Sequence, residues 1–208
     1  MNLLAIETAT REGSVALVRP GDVREVVLPG PADQTLMPVI LDLGALDELD
    51  GVAVDLGPGM FTSMRVGIAT AKTLAAALDI PVAGIASLDV IARAAFDEGA
   101  PASVAPGEVA ACLNAGRGEV YFATYRAVPF ERMTEIRLTP AAGVASTAAN
   151  ATPRAGVLAR IALERFERGE VARAHEIEPL YVRRTDAEIN WEVRGGISRP
   201  DRVKARGE

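Results

Sequence analysis

Residues Asp55 to Gly67, Asp-Leu-Gly-Pro-Gly-Met-Phe-Thr-Ser-Met-Arg-Val-Gly, constrain the fold of this chain more than any other segment. They follow a short apolar run, Gly51 to Asp55, and open a longer one with helical spacing, Phe61 to Leu78. That order predicts a buried strand, a tight turn and a helix. Pro58 fixes its own φ, and the flanking Gly57 and Gly59 can take backbone angles closed to other residues. A turn of this kind places a helix start, whose free backbone N–H groups suit an anion or a close protein partner. The plainer reading is a tight strand-to-helix connection and nothing more, and the turn taken alone favours it.

The rest of the chain supplies the surroundings. Leu3 to Glu7, Ser14 to Val18 and Val23 to Leu28 read as three strands joined by turns. Leu36, Val39, Ile40, Leu43 and Leu46 fall at helical spacing, and the helix is expected to begin near Thr35 so that Pro38 lies in its first turn. Val82 to Ile85 predicts a strand, and Leu88 to Phe96 a helix with Ser87 as its cap. Gly99, Pro101, Pro106 and Gly107 mark a boundary. Beyond it Val109 to Asn114, a turn over Ala115 to Gly118, and Glu119 to Tyr125 repeat the opening hairpin, with Asn114 and Gly118 standing where Glu7 and Gly13 stand. Such internal similarity suggests a duplicated lobe. Arg137 to Thr139 is a further short strand, Pro153 to Arg168 a helix, and the polar end of the chain a disordered tail.

Composition narrows the function. The 208 residues hold 49% hydrophobic side chains but only 4% aromatic ones, which suits an α/β core of closely packed small residues. A net charge of −6 argues against gripping nucleic acid alone through phosphates. The single histidine, His175, cannot make a multi-histidine metal site, so no metal is expected. The single cysteine, Cys112, lies in an apolar run and reads as a buried, inert thiol. Ser14, Ser63 and Ser87 have no histidine at hand to activate them. The opening residues carry no basic leader and no apolar run reaches membrane-spanning length, so a soluble, cytoplasmic protein is expected.

Four groups of residues resemble one family. They are Ile6 to Thr10 with Gly13 to Leu17; Gly57 to Thr62 with Arg65 to Gly67; Asn114 to Tyr121; and Glu178 to Arg183. In order and spacing they are similar to TsaB, also called YeaZ, the non-catalytic partner in bacterial synthesis of threonylcarbamoyladenosine on tRNA. The motif positions carried over are Glu7, Thr8, Thr10, Ser14, Gly57, Pro58, Gly59, Phe61, Thr62, Asn114, Arg117 and Glu119. The resemblance implies a two-lobe α/β fold like actin, Hsp70 and sugar kinases, with mixed sheets flanked by helices and a reduced second lobe. The lobes are expected at 1–105 and 106–193, with the tail at 194–208. It also implies a catalytic paralogue, TsaD, that transfers threonylcarbamoyl to adenosine 37 of tRNAs reading codons that start with A. The small ATPase TsaE is a further implied partner, and tRNA is met only through the complex.

The departures from the family pattern concern chemistry. Glu7 stands where Asp is common, Ala32 to Thr35 lacks a histidine, and Asn114 replaces an Asp. In kinases of this fold, a carboxylate ending a first-lobe strand and hairpin turns in both lobes serve the nucleotide. Glu7 with Thr8, Thr10 and Ser14 supplies one half, but Asn114 is neutral and cannot be a general base. The expectation is no catalytic residue and no cofactor of its own, with either a relic or an ATP site completed by a partner. An ATP-hydrolysing or group-transferring enzyme is the alternative reading.

The helices carry the expected binding surface. Gly67, Ala71 and Ala75 recur every four residues, a stripe that lets another helix approach closely. With Leu36, Met37 and Ile40 of the preceding helix, and Met64, Arg65 and Ile68, they form the expected partner interface. In the family, the first two helices pair with the same two helices of the partner. The same face is expected to form a homodimer when the partner is absent. The competing reading is that both helices merely pack on their own sheet.

Overall fold

The computed structural model describes residues 1–46, 48–99, 105–142, 144 and 149–183. The expected disordered tail lies outside them.

β1 (Leu3–Glu7) and β4 (Gly51–Asp55) are buried along their whole length. Both are apolar up to a terminal carboxylate, the pattern of strands covered on both faces. β1 pairs antiparallel with β2 (Ser14–Arg19), which pairs with the edge strand β3 (Asp22–Val27). On its other side β1 runs parallel to β4, and β4 to β5 (Val82–Ile85), giving the order β3-β2-β1-β4-β5. Two helices cover one face: α1 (Ala32–Asp42) and α2 (Phe61–Leu78). Leu36, Val39 and Ile40 of α1 and Met64, Ile68, Ala71 and Ala75 of α2 pack there on Leu4, Ile6, Val15, Leu17, Val52 and Val54.

The chain's second half covers the opposite face. α4 (Ala155–Glu167) lays Ala155, Leu158, Ala159, Ile161 and Ala162 on Leu3, Ala5, Ala16 and Ala53. The alanines on both sides let the helix sit close to the strands. α3 (Ser87–Asp97) then joins the two halves, its Leu88, Ile91 and Ala92 packing on Ala111, Tyr121, Ala123 and Tyr125. Those residues belong to a second, antiparallel sheet built on the long hairpin β6 (Glu108–Gly116) and β7 (Glu119–Arg126). The far side of β7 is shared by β8 (Glu131–Arg132) and β9 (Arg137–Pro140).

A strap over residues 177–183 ties the two sheets together. Lys72 Nζ donates to the Ile177 carbonyl at 2.8 Å, and the Leu180 N–H to the Leu56 carbonyl at 2.8 Å. Arg65 Nε donates to the Tyr181 hydroxyl at 2.8 Å while its guanidinium lies 4.0 Å from the centre of the Phe61 ring. Val182 then enters the second core, and Arg183 pairs with Glu119 of β7.

Three local expectations change. α1 begins at Ala32, so Pro38 sits inside the helix rather than in its first turn. Its ring nitrogen brings no N–H to the helix ladder at that position. Ser87 makes no cap for α3. Its hydroxyl donates instead to Asp55 Oδ1 at 2.7 Å, because a fully buried carboxylate draws a nearby donor more strongly than a helix end does. β8 is too short and too polar to show as a strand in the sequence.

Candidate functional site

The first-sheet strands β1 and β4 end side by side in two buried carboxylates. Ile6 pairs with Val54 in the parallel register, which brings the next residues, Glu7 and Asp55, together. Each is 0% exposed. Each also turns one oxygen back on its own chain. Glu7 Oε1 accepts from the Ala9 N–H at 2.7 Å, and Asp55 Oδ1 from the Gly57 N–H at 2.7 Å. These bonds shape two turns, 8–13 and 56–60. The turns are joined by the Met60 N–H, which donates to the Ala9 carbonyl at 2.7 Å. Glycine is required at that crossing, since a Cβ on Gly59 would stand 2.2 Å from the Ala9 oxygen. Gly57, at φ 93°, takes a backbone angle that other residues avoid.

Above the joined turns lies a cleft of about 530 Å³ between the two sheets. Ala9 to Glu12 and Gly59 with Met60 form one wall, and Leu113 to Gly116 with Tyr121 the other. The second hairpin repeats the strand-end device of the first: Asn114 Oδ1 accepts from the Gly116 N–H at 2.7 Å. Asn114 is exposed where Glu7 is buried, so the repeat is one of backbone geometry with different chemistry.

Electrostatics at the cleft floor favour neutral acids. Burial, then the neighbouring Asp55, push the Glu7 carboxyl well above the usual carboxylate range, against the Ala9 and Thr10 N–H groups and Arg154. Burial likewise pushes Asp55 up to about 7, although the Ser87 hydroxyl and the Gly57 N–H pull it down. Glu7 Oε2, Asp55 Oδ2, Thr8 Oγ1 and Thr10 Oγ1 are buried with no hydrogen-bond partner. Among the described residues no three His, Cys, Asp or Glu side chains come together to hold a metal, and none of their helices is long and apolar enough to cross a membrane.

The motif positions separate by role. Thr10, Gly59 and Asn114 line the cleft, and Glu7, Thr8, Gly57 and Pro58 lie buried beneath or beside it. Ser14 points elsewhere: its hydroxyl accepts from the Ala155 N–H at 2.9 Å, holding the start of α4. Phe61 and Thr62 are exposed at the start of α2. Arg117 sits in the β6–β7 turn at φ 58°, and Glu119 holds the strap through Arg183. Asp55 was the residue missed. Its signal was present, a lone carboxylate ending an apolar strand, as Glu7 does. Cys112 is buried, as its apolar neighbours imply.

The expected partner interface needs correction. Leu36, Ile40, Met64, Gly67, Ile68, Ala71 and Ala75 are buried within this chain, and only Met37 and Arg65 of that set reach the surface. The small stripe on α2 faces the chain's own first sheet. A Cβ on Gly67 would come within 2.1 Å of Thr8 Oγ1 and 3.4 Å of Ile6 Cγ2. Small residues let a helix approach a strand as readily as another helix, and the helical period does not say which.

Comparison with known proteins follows the same outline. The family model described as TsaD, tRNA N6-adenosine threonylcarbamoyltransferase, matches residues 43–135. The tRNA threonylcarbamoyladenosine biosynthesis protein TsaB of Escherichia coli is 33% identical over 133 residues, covering 61% of this chain and 55% of that protein. The TsaB of Haemophilus influenzae is 34% identical, over 59% of this chain and 52% of that one. The chain thus spans about half the length of these two curated relatives. The Bacillus subtilis TsaB is 27% identical with 92% and 98% covered. The solved structure of YeaZ from Pseudomonas aeruginosa superposes with a TM-score of 0.75 at 27% identity, over 87% of this chain and all of that one. The architecture is therefore the expected actin- and Hsp70-like α/β fold. With the buried strand-end carboxylates, the Gly-Pro-Gly turn and the repeated hairpin all set in that fold, the chain is similar to the TsaB (YeaZ) proteins over most of its length.

Proposed function

We propose that this chain is a non-catalytic subunit that docks a catalytic paralogue of the TsaD type and so supports threonylcarbamoyl transfer to tRNA. The paralogue relation is supported by the TsaD family model matching part of the chain. Participation in the pathway is supported by the names of the TsaB relatives. TsaE and tRNA enter as further members of the assembly, and homodimerisation as the alternative use of the same surface.

One observation carries the docking surface. The outward faces of the touching helices α1 and α2 expose apolar and short side chains among the polar ones. Leu41 is 57% exposed and Met37 39% exposed on α1. On α2 the residues Thr62, Ala69, Thr73, Ala76 and Ala77 are exposed. This row lies on the side of α2 away from Gly67, Ala71 and Ala75, and its short side chains admit a partner helix closely.

The cleft chemistry supports a subunit without catalysis of its own. Asn114, on the hairpin that faces Glu7 across the cleft, cannot take a proton, so that wall brings no general base at this position. The test is light scattering after size exclusion, on this chain mixed with the paralogue from the same genome. Wild type is expected to form a one-to-one complex, and Leu41→Arg with Thr73→Arg to lose it while staying folded. An intact complex in that double variant would overturn the assignment of the surface.

A further inference from the structure

The Glu7–Asp55 pair has a role that the docking reading does not use. Two carboxyl groups end adjacent parallel strands, each wholly buried, each with one oxygen bonded to its own turn and one oxygen without a partner. Two ionised carboxylates in such a place repel in a medium that screens little. Two neutral ones leave acceptors and donors unused. One proton between them satisfies both, as in other buried carboxyl pairs.

We propose that Glu7 and Asp55 share a single proton, and that this proton locks the 8–13 turn to the 56–60 turn. The lock acts through the backbone hydrogen bond that joins the two turns, the Met60 N–H on the Ala9 carbonyl. Met60 immediately precedes α2 and lines the cleft. Loss of the proton drives the strand ends apart, breaks that link, and frees the start of α2 and one wall of the cleft. The bonds from Ala9 N–H to Glu7 and from Gly57 N–H to Asp55 survive, because ionisation strengthens a hydrogen bond to a carboxylate.

The charged groups around the pair fit this assignment. Arg154, just before α4, acts on Glu7, but its guanidinium is drawn toward Glu12 at 3.6 Å. Asp89 of α3 acts on Asp55 and opposes its ionisation, and is itself held by the Tyr125 hydroxyl at 2.9 Å and by Arg132 and Arg165. From α3 the Ser87 hydroxyl donates to the Asp55 oxygen that already holds the Gly57 N–H. Arg154 Nη1 is also buried without a hydrogen-bond partner, and among the described residues no cation is hydrogen-bonded to either unpartnered carboxyl oxygen.

Amide hydrogen exchange on the intact chain tests the lock. After correction for the intrinsic pH dependence of exchange, the opening constant at the Met60 amide is expected to rise about tenfold per pH unit between about 5 and 7. The Ala9 and Gly57 amides are expected to show no such slope. The isosteric double variant Glu7→Gln, Asp55→Asn has no carboxyl to titrate, and its Met60 slope is expected to vanish. A flat wild-type profile, or a slope that persists in the double variant, overturns the proposal. So does a slope abolished by saturating Mg²⁺, which would assign a cation to the place of the proton. If the double variant does not fold, the infrared carbonyl band of a protonated carboxylic acid in the wild type at pH 6 decides: its presence supports the shared proton and its absence overturns it.

Discussion

Gly67 of α2 lies against Thr8, the residue that follows β1, so closely that a methyl group on Gly67 would fall 2.1 Å from the Thr8 hydroxyl oxygen. This contact sets the height of the helix above the sheet and turns its small-residue stripe inward. Gly67→Ala should therefore destabilise the fold by about 1–3 kcal/mol through overpacking. The gain of about 1 kcal/mol that alanine brings to an exposed helix interior does not offset it. Urea denaturation of the two proteins measures the difference, and an alanine variant as stable as wild type would show that α2 can lift off β1 without cost.

Ala71 and Thr73 distinguish the buried from the exposed side of the same helix. Ala71 is 0% exposed, whereas Thr73 faces solvent. Ala71→Arg places a charge in the core and is expected to abolish cooperative unfolding altogether. Thr73→Arg is expected to leave the melting temperature within a few degrees of wild type, as surface substitutions of about 0.5 kcal/mol or less do. Circular dichroism melts of both variants check the pair. Equal behaviour would mean that the two sides of α2 are not distinguished as described.

Ser14 holds the first N–H of α4 across 141 positions of sequence. Ser14→Ala leaves that buried N–H unpaired and should cost about 1–3 kcal/mol. The effect should also be local, with amide protection lost first in the initial turn of α4. Uniform loss of protection across both sheets would contradict a capping role.

Acid pKa values raised by folding make stability fall as pH rises. An ordinary carboxyl titrates near pH 4, so in the unfolded chain Asp55 is ionised above about pH 5. In the fold it is pushed up to about 7 and keeps its proton over that interval. The folded state then binds more protons than the unfolded one, and the contribution is full below about pH 4 and lost through about pH 7. Glu7, also raised, shares that proton and acts in the same direction without adding a second one. Thermal melts of wild type and Asp55→Asn from pH 5 to pH 8 should converge in slope if other groups dominate; the expected result is a shallower decline in the variant.

Much of the fold was legible because its signals are local. Phe61–Leu78 and Val82–Ile85 have the bounds that apolar spacing and flanking Gly and Pro predict. The repeated hairpin was legible too, down to a side-chain oxygen at Asn114 that captures an N–H two residues on, as Glu7 does. The cleft was half legible: its Gly-Pro-Gly wall stands out, but Tyr121 and Thr152 join it only through folding. Asp55 and Ser87 were harder, because the bond that unites them spans 32 residues and each has an ordinary local role to suggest instead.

Apolar spacing, turn chemistry and motif order thus specify which segments are strands and helices and which family they resemble. They do so because a strand's period, a helix's period and a glycine's allowed angles are properties of neighbouring residues. The direction in which α2 presents its stripe, the return of α4 to the first sheet and the meeting of Glu7 with Asp55 have another origin. They depend on contacts between residues far apart in the chain, where burial and close packing choose one arrangement among several that satisfy the same local pattern.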